Sequence, residues 1–253
     1  MVSDAVRGVE TRARKRKRDL GAQAGVAIPG LPFDVAVSIV EKHLPDPADL
    51  AVLRAVSKGM RDAVDATELE IEELDEDDAV ERGYLSTLKC LRRRGVLKDE
   101  RLLCAAAARS GQLEALKALR AENFPWNTAT CEFAAKGGHF EVLKWAREND
   151  CPWNEWTCWR AAEGGHFEVL KWARENGCPW DEDTCAYAAK GGHFEMLKWA
   201  RENGCLWDED TCRYAAEGGH FEILKWAREN GCPWNELTCS RAALGGHLEI
   251  LKW

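Results

Sequence analysis

No stretch of this sequence is long and apolar enough to cross a membrane. The longest uncharged run, Leu20–Phe33, contains Gly, Pro and Gln and falls short of the roughly 20 apolar residues that a spanning helix needs. No charged-then-apolar secretory opening precedes it, so an intracellular location, cytoplasmic or nuclear, is expected. Cysteine is too sparse for a disulfide scaffold: the 11 residues are odd in number, and at about 4% they stay below the ~8–10% typical of such chains. Free thiols follow. Positive charge is also short, with 35 Lys and Arg against 43 Asp and Glu, a net of -8. Residues 1–30 hold seven basic against three acidic side chains, residues 31–95 nine against fifteen, and residues 96–253 nineteen against twenty-five. A folded body of that sign repels phosphate, so no nucleic-acid partner is expected, and no membrane partner either. The basic run Arg12–Arg18 reads as a nuclear localisation signal or as a solvated arm, within a disordered tail over residues 1–29. Gly-rich phosphate loops and a nucleophile elbow are missing as well, and neither an enzyme nor a cofactor is expected.

What the sequence does contain is a period. Cys104, Cys131, Cys158, Cys185, Cys212 and Cys239 stand 27 residues apart. Trp126, Trp153, Trp180, Trp207 and Trp234 keep the same spacing, as do Trp145, Trp172, Trp199, Trp226 and Trp253. Each unit reads as two helices. Asn127, Asn154, Asp181, Asp208 and Asn235 are N-cap candidates for the first. Along it Cys185, Ala188, Ala189 and Gly192 share one small-residue face, and a Gly-Gly pair ends it. The second helix runs from His193 to about Asn203, with Phe194, Leu197 and Ala200 inward and Glu195, Lys198 and Glu202 outward. Gly177, Gly204 and Gly231 fit a left-handed cap, as do Asn123 and Asp150 in two copies. A degenerate copy spans Gly83–Gly95. A unit of this size cannot bury enough surface alone, so the units must stack into a solenoid.

The run Ala161–Lys171, Ala-Ala-Glu-Gly-Gly-His-Phe-Glu-Val-Leu-Lys, resembles the ankyrin repeat, and the resemblance extends over residues 98–253. The family's Thr-Pro-Leu-His opening is absent, and the period is shorter than the usual ~33 residues. The missing residues fall between Gly177 and Cys185, so the projecting hairpin finger should shrink to a tight turn. A leucine-rich repeat also tolerates this period, but its Leu-x-x-Leu-x-Leu strand and Asn ladder are absent.

A second resemblance lies upstream. Leu31–Val40, Leu44–Leu50 and Leu53–Arg61 resemble an F-box, with a Leu-Pro opening, an apolar helix, an Asp-Pro turn and a Val-Ser-Lys close; Met60 stands where the motif carries Trp. The resemblance implies a three-helix unit over residues 30–66 that binds the Skp-type adaptor of a cullin ubiquitin ligase through Leu31, Pro32, Ile39, Leu44, Leu50, Leu53 and Val56. The plainer alternative is a helical cap on the first repeat. Residues 67–97 would form an acidic connector followed by the degenerate repeat. The expected fold is therefore all-α: a helical-hairpin solenoid behind an F-box-like unit.

Variation between copies points to a binding surface. Positions two before, one after and two after the Cys hold Trp156, Trp159, Arg160, Phe133, Tyr187, Arg213, Tyr214 and Arg241, on the face of the first helix taken to lie opposite the thiols. Aromatic and Arg side chains are typical interface anchors, whereas a merely solvated face favours Lys and Glu. A client protein is the expected partner; drift at unconstrained positions is the alternative. Cys178, Cys185 and His193 can also be drawn as zinc ligands, but their spacing is not that of a close Cys pair, and His139, His166, His193, His220 and His247 read better as bonding backbone between units. The last copy stops at Trp253 and is expected to be truncated or frayed.

Overall fold

The structure, a computed structural model, describes residues 33–43, 47–67 and 74–253. The basic tail, Leu31, Pro32, Leu44 and residues 68–73 of the acidic run lie outside them. Contacts divide the chain into two compact units, one ending at Ala79 but including Ser86–Leu97, the other made of Val80–Leu85 with Lys98–Trp253.

In the first unit the helices Phe33–His43, Pro47–Val56 and Lys58–Asp65 follow one another. Two small apolar clusters hold them: Phe33, Ala36, Val37, Ala63 and Ala66, and next to them Val40, Leu50, Leu53 and Val64. The third helix starts at Ser57, whose Oγ accepts the Met60 N–H at 3.1 Å.

The second unit is a stack of helix pairs with no strand among the described residues. Its first helices are Arg101–Arg109, Thr128–Lys136, Glu155–Glu163, Glu182–Lys190, Glu209–Glu217 and Glu236–Leu244. Its second helices are Leu113–Ala121, Phe140–Glu148, Phe167–Glu175, Phe194–Glu202, Phe221–Glu229 and Leu248–Lys252. Each first helix packs on the first helices before and after it and on its own second helix. Small residues permit that approach: Thr184, Cys185, Ala188 and Ala189 are fully buried, as are their counterparts in the neighbouring copies.

Gly-Gly-His is a clasp between units. Gly191 ends its helix in ordinary right-handed geometry, and Gly192 turns the chain at φ +77. A Cβ on Gly138 would stand 2.4 Å from Nδ1 of His166, in the next unit, so the glycine also makes room for that ring. The ring earns its place through Nε2, which donates to the carbonyl of Lys136 at 3.1 Å; His139, His220 and His247 do the same to Arg109, Lys190 and Glu217 at 2.9–3.0 Å. The second helices end in left-handed residues at Gly177, Gly204 and Gly231, each at φ +83, and at Asn123 and Asp150, at φ 62 and 63.

The chain then reaches the next first helix in a few residues, with no hairpin. In place of the finger, the turn is held by a thiol: Cys178 Sγ donates to the Asn154 carbonyl of the preceding turn at 3.3 Å, and Cys205 to Asp181 at 3.2 Å. Arg174 donates from Nη1 to the Cys178 carbonyl while its guanidinium lies 4.0 Å over Trp180. The N-cap residues stand where the sequence puts them, but only Asp208 and Asn235 accept a backbone N–H through the side chain; Asn127, Asn154 and Asp181 do not.

One expectation about the second helix needs correction. Its buried stripe is Met196, Leu197 and Ala200, while Phe194 is only half-buried. Phe194 instead packs edge-on against Trp226 of the next unit at 5.6 Å, and Trp226 in turn packs on Trp207 at 5.6 Å. The periodic tryptophans thus form seams along the second helices, half-buried except for the exposed Trp234 and Trp253 of the last unit. No described helix is long and apolar enough to cross a membrane.

Candidate protein-binding face

The first helices carry a row of aromatic side chains across four consecutive units. Trp159 stacks on Tyr187 of the next unit, with centroids 4.5 Å apart and planes at 22°. Tyr187 continues to Tyr214 at 5.5 Å. At the other end Trp156 meets Trp159 at 6.4 Å and 61°, and its indole is 50% exposed. The remaining members are half-buried. Arg160 lies over Trp159 at 4.4 Å and reaches Phe133 at 5.8 Å; Arg213 lies over Tyr214 at 4.9 Å. Seven of the eight side chains expected on this face therefore meet in one row. Arg241 instead pairs with Glu217 at 3.5 Å.

The arginines are tied down by carboxylates. Arg160 pairs with Glu163 at 3.0 Å and with Glu81 at 3.5 Å, and Arg213 with Asp210 at 2.6 Å. Glu81 also binds Lys136 at 2.7 Å, so one residue ahead of the regular repeats spans two of them. That reach across the sequence left no local signal. The register position five after the Cys was readable, because Lys136, Glu163, Lys190 and Glu217 alternate in sign; Lys136 pairs with Glu163 at 3.8 Å and Lys190 with Glu217 at 3.6 Å.

The position one after the Cys is not uniform: Trp159 and Arg213 stand there half-buried in the row, whereas Ala105, Glu132 and Ala186 are buried. Glu132 is the consequential case. It is 6% exposed, and its Oε1 has no hydrogen-bond partner. Burial raises its pKa above the ordinary carboxylate range, against hydrogen bonds from Thr128 and Asn154 and the charge of Arg160.

Along the N-terminal edge of the row the charge is negative. Asp181, Asp183 and Asp208 all have pKa values pushed up, by burial first and then by neighbours that include Glu155, Glu182, Glu209 and Asp210. Tyr187 is raised too, by burial, then by Tyr214, Asp183 and Glu163, and remains a neutral phenol.

The zinc trio drawn from the sequence does not assemble. Cys185 neighbours Cys205, not Cys178, and the His193 ring lies against Gly165. No described group of three His, Cys, Asp or Glu side chains could hold a metal ion. Burial pushes the Cys104 thiol up to about 11, and a neighbouring thiol together with burial raises Cys131, Cys158 and Cys185, so these sulfurs remain protonated. A cleft of about 350 Å3 lies on the opposite side, between Lys198, Arg201, Glu202, Trp207, Trp226 and Asn230. The same residue types recur there in neighbouring units, which marks it as a seam of the solenoid.

Of the residues assigned to adaptor binding, Ile39 and Val56 are exposed, Leu53 is half-buried, and Leu50 is fully buried among Val40 and Val64. Leu50 is thus placed to hold the small core.

A protein-family model described as ankyrin repeats in many copies matches residues 158–201 and 212–253. No curated protein matches the chain. Among solved structures the chain is similar to the human ASB11 ankyrin repeat domain, with 19% identity, a TM-score of 0.46, and coverage of 59% of this chain and 80% of that one. The matched residues are thus similar to ankyrin repeats, and repeats of this kind indicate a protein–protein interaction module.

Proposed function

We propose that this chain is the substrate-recognition subunit of a cullin-type ubiquitin ligase, with the first-helix row holding a client protein. The observation that carries the client part is the contiguous row Trp156–Trp159–Tyr187–Tyr214, half-open to solvent on rigid helices. Large aromatic rings on a preorganised face supply contact area at low entropic cost, which is where interfaces concentrate their energy. The ligase part rests on the F-box resemblance of residues 31–61, supported by the exposed apolar side chains Ile39 and Val56. A Skp-type adaptor would cover them.

The test is a pull-down with a Skp-type adaptor. Wild type should retain it, and Ile39→Asp with Val56→Asp should lose it while circular dichroism is unchanged. Leu50→Asp is unsuitable, because a charge there would unfold the small core. Failure of wild type to bind any such adaptor removes the ligase role and leaves an ankyrin-repeat scaffold, the second reading, which the row of aromatics favours equally.

A further inference from the structure

The exposed indole of Trp156 stands at the negative edge of the row. Glu155 precedes it in the same helix, and Glu182 and Asp183 occupy the corresponding positions one unit on. Among the described residues none of these three carboxylates forms an ion pair, whereas Asp210 is answered by Arg213 and Glu163 by Arg160. In the preceding unit Glu132 is buried and keeps Oε1 without a hydrogen-bond partner. An indole face attracts cations through its quadrupole, and unpaired carboxylates beside it attract the same charge. An acidic or phosphorylated partner would meet repulsion along the whole edge.

We infer that the occupant of the row is a basic segment of a partner protein, extended along the first helices, with one Lys or Arg side chain over Trp156 and others paired with Glu155, Glu182 and Asp183. The inference rests on the row being the client site and adds the chemistry of the client. The cation over Trp156 replaces water on an indole that is otherwise 50% exposed. The apolar part of its stem covers the ring edge, as long basic side chains do on aromatic surfaces. Specificity comes from the pairing of a stacked cation with carboxylates at fixed spacing, and the negative edge steers the encounter.

The full chain is tested with a short labelled peptide of alternating Arg and Ser, alongside its Glu-Ser and Gly-Ser counterparts, by fluorescence anisotropy. The basic peptide should bind, the other two should not, and added salt should weaken the complex. Trp156→Ala, and separately the triple change Glu155→Gln, Glu182→Gln and Asp183→Asn, should each weaken binding at least about tenfold. A control triple on the second helices, Glu141→Gln, Glu168→Gln and Glu195→Gln, removes the same charge elsewhere and should weaken it less than about twofold. Should the first triple melt early, Glu182→Lys alone, at an exposed position, replaces it with an expected loss of at least about threefold. Equal losses in the two triples, no loss with Trp156→Ala, or no binding to wild type overturns the inference. Capture of a client that is lost with Trp156→Ala but survives the Glu155, Glu182 and Asp183 triple also overturns it, while leaving the row as the client site. Capture indifferent to both defeats the client site itself.

Discussion

The two sides of the solenoid are built from the same repeat and behave in opposite ways. On the second-helix side the same contact recurs unchanged: Phe140, Phe167, Phe194 and Phe221 each meet a Trp of the following unit at 5.5–5.7 Å, and each turn Trp has an Arg 4.0–4.3 Å above it. On the first-helix side the ring contacts differ in partners and geometry from unit to unit. A contact repeated at every step stabilises each step, because solenoid stability is a sum over neighbours. A contact whose partners change from unit to unit contributes unevenly to the array, and it leaves Trp156 half-open to solvent. On the proposed function, the two helices of one unit divide the work of stability and recognition.

The sharpest way to break that division is to damage the seam on which both sides rest. Cys185→Asp puts a charge in a fully buried site between first helices and should cost at least about 4 kcal/mol, melting the neighbouring units and abolishing client binding together. Urea melts followed by circular dichroism would show it. A loss below about 1 kcal/mol would mean that the thiol face is not buried.

Next in size is the clasp. Gly165→Ala sets a Cβ 2.5 Å from the His193 ring, at φ +73, and should cost roughly 2–3 kcal/mol through strain and displacement of the ring. Trp172→Ala removes a half-buried ring that touches both Phe140 and Trp153 and should cost roughly 2 kcal/mol. Trp156→Ala should cost no more than about 0.5 kcal/mol, with binding weakened at least tenfold. Trp159 and Tyr187 fall between these extremes, since each is half-buried and stacked on the other; their removal should cost about 1 kcal/mol of stability besides the loss of binding. If Trp156→Ala destabilises as much as Trp172→Ala in thermal melts, the division between the two sides does not exist.

The clasp also sets a pH dependence. Burial holds the His166 pKa below the ordinary value, opposed by its hydrogen bond to the Lys136 carbonyl and reinforced by His139, His193 and Arg109. As pH falls below about 6.5 the unfolded chain takes up the proton first, so stability present above that range is lost as pH drops through the folded value. The urea midpoint should be lower at about pH 5.5 than at about pH 7.5, and His166→Gln should flatten the slope.

Much of this was legible because repetition turns one observation into several. Asn123 and Asp150 could be assigned left-handed geometry from the glycines that hold their place in other copies, and the histidine-to-carbonyl bonds followed from the Gly-Gly that exposes that carbonyl. What stayed hidden depends on distance across units. The burial of Ala186 and Glu132 reflects how closely two small-residue helices approach, which one helix's periodicity does not reveal. Cys185 meets Cys205 instead of Cys178 because the turn folds back over the helix before it, and Phe194 turns outward because Trp226 of another unit lies there. At the binding face, composition identified the members of the row; their order, and the unpaired carboxylates at its edge, required the structure.

The smallest effect is the most discriminating, because its two consequences have opposite signs. Asp183 has a raised pKa, from burial first, then from Glu182 and Asp210, with only Arg213 opposing. A carboxyl with a folded pKa above its unfolded one keeps full stability only below the unfolded value, near 4, and loses it as pH rises through the folded value. At neutral pH the ionised Asp183 is therefore a net cost to the fold. Asp183→Asn should relieve that cost and raise stability by a few tenths of a kcal/mol, about what a partly exposed charge can contribute. The same change should weaken binding of a basic peptide by about threefold, since it removes one of the carboxylates meant for the partner. Under the inference of a basic client, that unfavourable charge serves the partner and not the fold. Melting and anisotropy on the single variant decide the matter: a drop in both stability and binding would make Asp183 a structural group, and a rise in stability with unchanged binding would leave the negative edge without a role.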